Sequence, residues 1–311
     1  MAQLSTGSRI TAKWKKYWPF YFMMMPGLLY FLVNNYIPMT GVILAFKKVN
    51  WRLGIFGSKW NGLANFRFLV TSGSLYTMVR NTLLYNAAFI VINTVLAVTV
   101  AILLNEVRCK AASRVFQTLI LLPYLMSMVA VSYLVYAFLS VETGYVNNAI
   151  LPLFGAEPIA FYQAPHYWPF ILTFVNTWKG IGFTSVVYLA AVVGISEDLF
   201  EAARVDGASK LQQIFHITLP ALKTTIITMI LLSISKIFFS DFGLFYQVPR
   251  NSGILYPVTQ TIDTYVYNAL MNQNNPGMSA AAGLFQSAVG CVLVLLANAS
   301  IRRISRDDAL F

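Results

Sequence analysis

Few residues of this 311-residue chain are placed for bond-making chemistry, and their spacing excludes the common reaction classes. The histidines His166 and His216 and the eleven Asp and Glu form no GxSxG or HExxH pattern, and no carboxylate pair lies in an apolar stretch. Cys109 sits in a basic segment and Cys291 in an apolar run, and no CxxC or Cys/His spacing suggests a metal. No GxxxxGK loop is present to cradle nucleotide phosphates. The chain is therefore expected not to be an enzyme. What remains is non-covalent. Lys179, Lys236 and Asp241 are ionisable residues inside apolar runs, where a charge at mid-bilayer costs roughly 2.5–3.5 kcal/mol, so they are expected to face a cavity or a partner chain. A polar corner around Glu201, Ala202, Ala203, Asp206 and Gly207 is the other candidate.

The elements that hold these residues follow from composition. The chain is 58% hydrophobic and 11% charged, with a mean hydropathy of +0.64, a balance no single soluble core could bury. It is expected to be an all-α, polytopic membrane protein. Six apolar stretches approach the 20 or so residues needed to cross a bilayer, at about 19–42, 79–104, 115–139, 168–194, 223–247 and 279–301. The basic N-terminal run resembles a signal peptide, but no small-residue cleavage site follows, so it reads as a retained first helix.

The net charge of +11 does not point to nucleic acid, because the basic residues lie between spans rather than on one face. With the N-terminus inside, thirteen Lys and Arg fall on the cytoplasmic side and seven on the other. Both termini are accordingly expected in the cytoplasm. The layout is a basic tail 1–18, a membrane domain 19–301 and a short tail 302–311. The six tryptophans cluster near the proposed interfaces, as in an aromatic belt. Ser279, Gly283, Ser287 and Gly290 give the last span a small-residue face suited to close packing, within the chain or against another.

Between the fourth and fifth spans, residues 196–222 are polar yet rich in helix formers. They read as two short helices with a turn. Ser196 is a credible N-cap with Glu197 and Asp198 in the first turn, Gly207 ends the first helix, and Pro220 starts the next span. Leu199, Ala202 and Ala203 are expected to face the membrane domain, leaving Glu201, Arg204 and Lys210 available to a partner.

This loop resembles the EAA loop of type I ABC importer permeases. The family pattern is EAA, three residues, Gly, nine residues, Ile, one residue, Leu-Pro, and Glu201, Ala202, Ala203, Gly207, Ile217, Leu219 and Pro220 fill every specified position. Seven fixed positions would coincide in about one window in 10⁹. Trp178-Lys-Gly-Ile-Gly-Phe and Asn61-Gly-Leu-Ala-Asn-Phe66 resemble the carbohydrate-uptake class. His216-Ile-Thr-Leu-Pro220, Ile262-Asp-Thr-Tyr-Val-Tyr267 and Gly283-Leu-Phe-Gln-Ser-Ala-Val-Gly290 are similar to the subgroup that imports aldouronate, rhamnogalacturonan and alginate oligosaccharides. Lys223 departs from the pattern, since many relatives carry a second proline there.

The resemblance implies half of a translocation pore in the bacterial cytoplasmic membrane. It implies as partners a second, different permease, two ATPase subunits that bind ATP and magnesium, and an external solute-binding protein. Glu201, Ala202, Ala203, Asp206 and Gly207 would seat on the ATPase. The substrate path would draw on Asn176, Trp178, Lys179, Lys236, Asp241 and Tyr246, although snorkelling of the lysines and plain packing of the aromatics are equally open readings. An importer of another small solute and an ion-driven carrier are the alternatives; for the carrier, Asp241 alone is thin support.

Overall fold

The structure, a computed structural model, describes residues 6–107 and 109–304. Arg108 and the outer parts of both expected tails, including Arg306, lie outside the described residues. The first half of the chain holds α1 (Thr6–Phe31), the ladder β1 (Lys47–Lys48) and β2 (Lys59–Trp60), α2 (Ala64–Thr71), α3 (Ser74–Glu106), α4 (Lys110–Leu125) and α5 (Met128–Leu139). The second half holds α6 (Trp168–Val193), α7 (Glu197–Val205), α8 (Lys210–Gln213), α9 (Leu219–Ile234), α10 (Phe242–Gln247), α11 (Tyr256–Thr259), α12 (Ile262–Tyr267) and α13 (Pro276–Ile304). The only strands described are the two residues each of β1 and β2, so the fold is all-α as expected.

Among the described residues, five helical stretches are long and apolar enough to cross a bilayer: Tyr17–Phe46, Ser74–Glu106, Pro165–Val193, Lys210–Ile234 and Pro276–Ala299. The sixth crossing exists only if α4 and α5 count as one span, because they meet at a 96° bend. This corrects the continuous helix expected over 115–139. Pro123 removes one backbone donor from the last turn of α4, and Met126 and Ser127 then take extended conformations, with ψ of 140° and 149°. Ser127 restarts the helix by accepting a hydrogen bond from the Ala130 amide at 3.2 Å.

The fifth expected span, 223–247, is also broken. Helix α9 stops at Ile234 and α10 begins only after Asp241, whose carboxylate caps it by accepting from the Leu244 amide at 3.2 Å. Carbonyls exposed by the break would be costly in an apolar setting. They are met by side chains from elsewhere in the fold. Asn86 Nδ2 donates to Ile237 O at 2.8 Å and Phe239 O at 2.9 Å, and Gln286 Nε2 donates to Phe238 O at 2.9 Å. Asp263 then pins the same segment, accepting from the Ser240 amide and hydroxyl, both at 2.7 Å.

The long helices α3 and α6 pack along most of their length and form the spine. Near the N-terminus of α6, Trp168, Leu172 and Val175 pack with Tyr85, Phe89 and Phe245; near its C-terminus, Tyr188, Leu189 and Val192 pack with Ala97, Ala101 and Leu222. A third cluster joins α13 to Ala45, Leu69, Met78 and Phe238. Gly182 sets the distance between α6 and α4, since a Cβ there would overlap the Ile120 carbonyl. The close approach gains van der Waals contact, which in lipid replaces water exclusion as the force holding helices together.

Residues 17–40 are all exposed, so most of the first span stands away from the rest of the chain, while its end at Ala45 packs with α13. Two packing expectations change. Trp168 is no belt residue: it is fully buried and its indole donates to Phe161 O at 2.8 Å. On α13, Ser279 and Gly290 are buried, but Ser287 is exposed and a Cβ on Gly283 would meet open space. The small-residue stripe therefore is not one packed face inside this chain; Ala281 and Ala282, outside the stripe, are buried as well.

Candidate functional site

The polar corner predicted over 196–222 is built as two helices at a turn. Helix α7 ends in a Schellman closure: the Ala208 amide bonds Ala203 O at 2.8 Å and the Gly207 amide bonds Arg204 O at 3.1 Å. Gly207 has φ +77, a left-handed conformation that glycine takes without a Cβ penalty. Ser209 and Gln212 form a reciprocal capping box at the start of α8, and a wide turn at Ile214–Thr218 delivers the chain into α9 with Pro220 in its first turn. The expected cap by Ser196 is not made. Its hydroxyl instead donates to Asp198 Oδ2 at 3.2 Å.

No residue of α7 is buried. Leu199 is 53% exposed and Ala202 is exposed too, which corrects the expectation that they face the membrane domain; Phe200 and Ala203 are the partly covered positions. Phe200 and Ala203 stand three residues apart and so share one face of the helix. Two of the three charges expected to be available are engaged within the chain. Lys210 Nζ lies 2.7 Å from Glu106 Oε2, and Arg204 Nη2 lies 4.0 Å from Glu197 Oε1. Among the described residues the Glu201 carboxylate has no such partner. Beside it, Ala203, Asp206, Gly207, Gln212, His216 and Ile217 line a cleft of about 290 Å³.

The six residues expected along a substrate path separate into distinct places. Asn176 and Lys236 come together at a cavity of about 280 Å³ between α3, α6 and α9, with Asn86, Asn93, Thr94 and Tyr188. Asn93 Nδ2 donates to Asn176 Oδ1 at 2.8 Å, and Thr177 Oγ1 donates to Asn93 Oδ1 at 2.9 Å, so this wall is a connected amide network. Tyr188 is fully buried there, with Thr94 as the polar neighbour of its hydroxyl.

Asp241 is not part of that cavity, and no ion pair joins it to Lys236 among the described residues; it serves as the α10 cap instead. Lys179 lies at the α4–α5 bend, where Nζ donates to Tyr124 O at 2.9 Å and sits 5.5 Å from the Tyr124 ring centre. Trp178 lines a wholly apolar groove of about 690 Å³ with Phe138, Phe170 and Phe174. Tyr246 belongs to a separate pocket near Arg250, stacked on Phe242 at 4.8 Å. Nearby, burial pushes the Tyr162 hydroxyl up to about 12 against the lowering effect of Arg250, so it stays neutral and donates to Val248 O at 3.3 Å.

Sequence reasoning missed Asn86, Asn93, Glu106 and Arg250. For the two asparagines a signal was present: they stand seven residues apart in an apolar run, which places both on one face of α3. For Glu106 and Arg250 the partners are distant in the chain and leave no local trace.

With this geometry in hand, comparison with known proteins is informative. The family model described as binding-protein-dependent transport system inner membrane component matches residues 93–306. The polygalacturonan/rhamnogalacturonan transport system permease protein YteP of Bacillus subtilis is 36% identical over 287 residues, covering 92% of this chain and 88% of its own. Protein LplB of the same organism is 33% identical, covering 92% and 89%. Among solved structures, a bacterial ABC transporter involved in the import of the acidic polysaccharide alginate superposes with a TM-score of 0.85 at 33% identity, covering 96% of this chain and 99% of that one. A second, the alginate ABC transporter in complex with an alginate pentasaccharide-bound periplasmic protein, gives a TM-score of 0.84 at 32% identity, covering 96% of this chain and 98% of that one.

Proposed function

Because this chain belongs to the binding-protein-dependent transport system inner membrane components, we propose that it forms one half of the pore of an ABC importer for carboxylated oligosaccharides. The relatives with matching folds handle polygalacturonan, rhamnogalacturonan and alginate, which share sugar carboxylates. The ion-driven carrier loses its support, since Asp241 is a helix cap.

The observation that carries the mechanism is the exposed corner at Gly207. Helix α7 follows α6 directly, α8 leads into α9, and Glu201, Ala202, Ala203, Asp206 and Gly207 present an unburied surface whose two carboxylates, Glu201 and Asp206, have no ion-pair partner among the described residues. Glu201 pairs there with a basic group of an ATPase subunit, a charge-assisted contact that positions the loop. Two such subunits bind ATP and magnesium and close on them, and the corner follows as a rigid body. Because α6 and α9 wall the cavity that holds Asn176 and Lys236, movement of the corner alters access to it. Trp178 and Lys179 shape the walls of the path rather than its lining. Both termini and the corner lie on the cytoplasmic side.

A second permease, different in sequence, supplies the other half of the pore. The exposed first span and the apolar groove beside Trp178 are the surfaces it and lipid cover. A solute-binding protein delivers the sugar from outside.

Replacement of Glu201 by Ala in the assembled importer tests this reading. Insertion and assembly are expected to survive while sugar-stimulated ATP hydrolysis is lost. Normal transport by the variant would remove the coupling role.

A further inference from the structure

Arg250 stands at a second cavity, of about 250 Å³, where α5 meets the end of α10, lined also by Ser132, Tyr133, Tyr136, Tyr246 and Gln247. It lies toward the end of the bundle away from the Gly207 corner, since α9 leaves that corner and Arg250 follows α9 and α10. Its guanidinium carbon sits 4.3 Å from the centre of the Tyr136 ring. Among the described residues no carboxylate pairs with it. Arg80, which lines another cavity, differs: its Nη2 donates to Pro257 O at 2.7 Å and to Asn81 Oδ1 at 3.0 Å.

The backbone that holds Arg250 is unusual. Arg250 and Asn251 are consecutive non-glycine residues in the left-handed region, with φ 55 and 48. Such a pair persists only where the surroundings over-determine it, and functional sites are where that occurs. Here the clamp is visible. Asn251 Nδ2 donates to Asn268 Oδ1 at 3.1 Å, Asn268 Nδ2 returns a bond to Asn251 Oδ1 at 3.0 Å, and the Tyr256 hydroxyl donates to Asn251 Oδ1 at 3.1 Å. Asn268 itself is 3% exposed. Tyr246 is equally fixed, stacked on Phe242 at 4.8 Å and edge-on to Tyr267 at 4.9 Å.

A guanidinium without an anion, held over one tyrosine and beside two others, matches one chemical class of guest. The planar fork pairs bidentately with a carboxylate, the uncovered parts of the tyrosine rings lining the cavity offer apolar surface to a pyranose, and the Gln247 amide is available to ring hydroxyls. We infer that Arg250, Tyr136 and Tyr246 form a recognition site for one uronate unit of the transported chain. This site rests on the reading of the protein as an oligosaccharide importer.

The test uses the whole importer in proteoliposomes, with its solute-binding protein in excess, and compares uptake of trigalacturonate with its methyl-esterified form. Arg250→Gln is expected to lower uptake of the acid relative to the ester by roughly tenfold or more, the scale of a lost charged hydrogen bond. Arg250→Lys, which keeps the charge but not the fork, is expected to retain part of the preference, and uptake of the ester at the wild-type rate shows that the Gln variant is folded. An unchanged ratio in Arg250→Gln, with wild-type import of the acid intact, overturns the site and leaves the importer reading standing. A wild-type importer that carries neither sugar, or only the ester, overturns the substrate class and this site with it.

Discussion

Lys210 Nζ bonds both carboxylate oxygens of Glu106, at 3.0 and 2.7 Å, across 104 residues of chain. Glu106 is the last residue of the 33-residue α3, where the helix dipole disfavours a negative charge, and the Lys210 ammonium offsets that. The helix that contributes to both buried clusters of α6 is thus tied at its end to the exposed corner at Gly207.

Reversing one charge of this pair places like charges in contact. Both side chains are about half exposed, so the pair contributes little to stability, and the effect is expected in coupling. Glu106→Lys and Lys210→Glu alone should each lower sugar-stimulated ATP hydrolysis by roughly two- to five-fold. The double exchange should restore it. Equal rates in all four forms would show that the pair carries no coupling.

Gly180 and Gly182 on α6 make a controlled comparison. A Cβ at 182 would strike the Ile120 carbonyl, whereas at 180 it would meet nothing within 4 Å. Gly182→Ala is expected to destabilise by about 1–3 kcal/mol through overpacking. Gly180→Ala should be neutral or stabilising by up to about 1 kcal/mol, the helix propensity difference. Thermal unfolding of the solubilised importer distinguishes them, and identical midpoints would refute the close approach of α4 and α6.

Lys179 answers for the bend between α4 and α5. Lys179→Met leaves Tyr124 O without its charged donor at 2.9 Å and, because the bond is exposed, should destabilise by only about 0.5–1.5 kcal/mol. The preference for acidic over esterified sugar should not change. A lost preference with an unaltered unfolding midpoint would instead make Lys179 a substrate contact.

The amino-acid sequence by itself determined the all-α membrane class and the corner. A span needs only an apolar run of sufficient length, a property summed locally, and 168–194 was legible almost to the residue as Trp168–Val193. Gly207 and Pro220 were legible for the same reason, because left-handed backbone and a missing N–H are properties of single residues. The tertiary structure alone decided where those runs break. A broken apolar run has the same composition as a continuous one, and what makes the break tolerable is a donor from far away: Lys179 for α4, Asn86 and Gln286 for the segment after α9. The same non-locality kept Arg250 out of reach, since its cavity exists only once α5 and α10 are side by side.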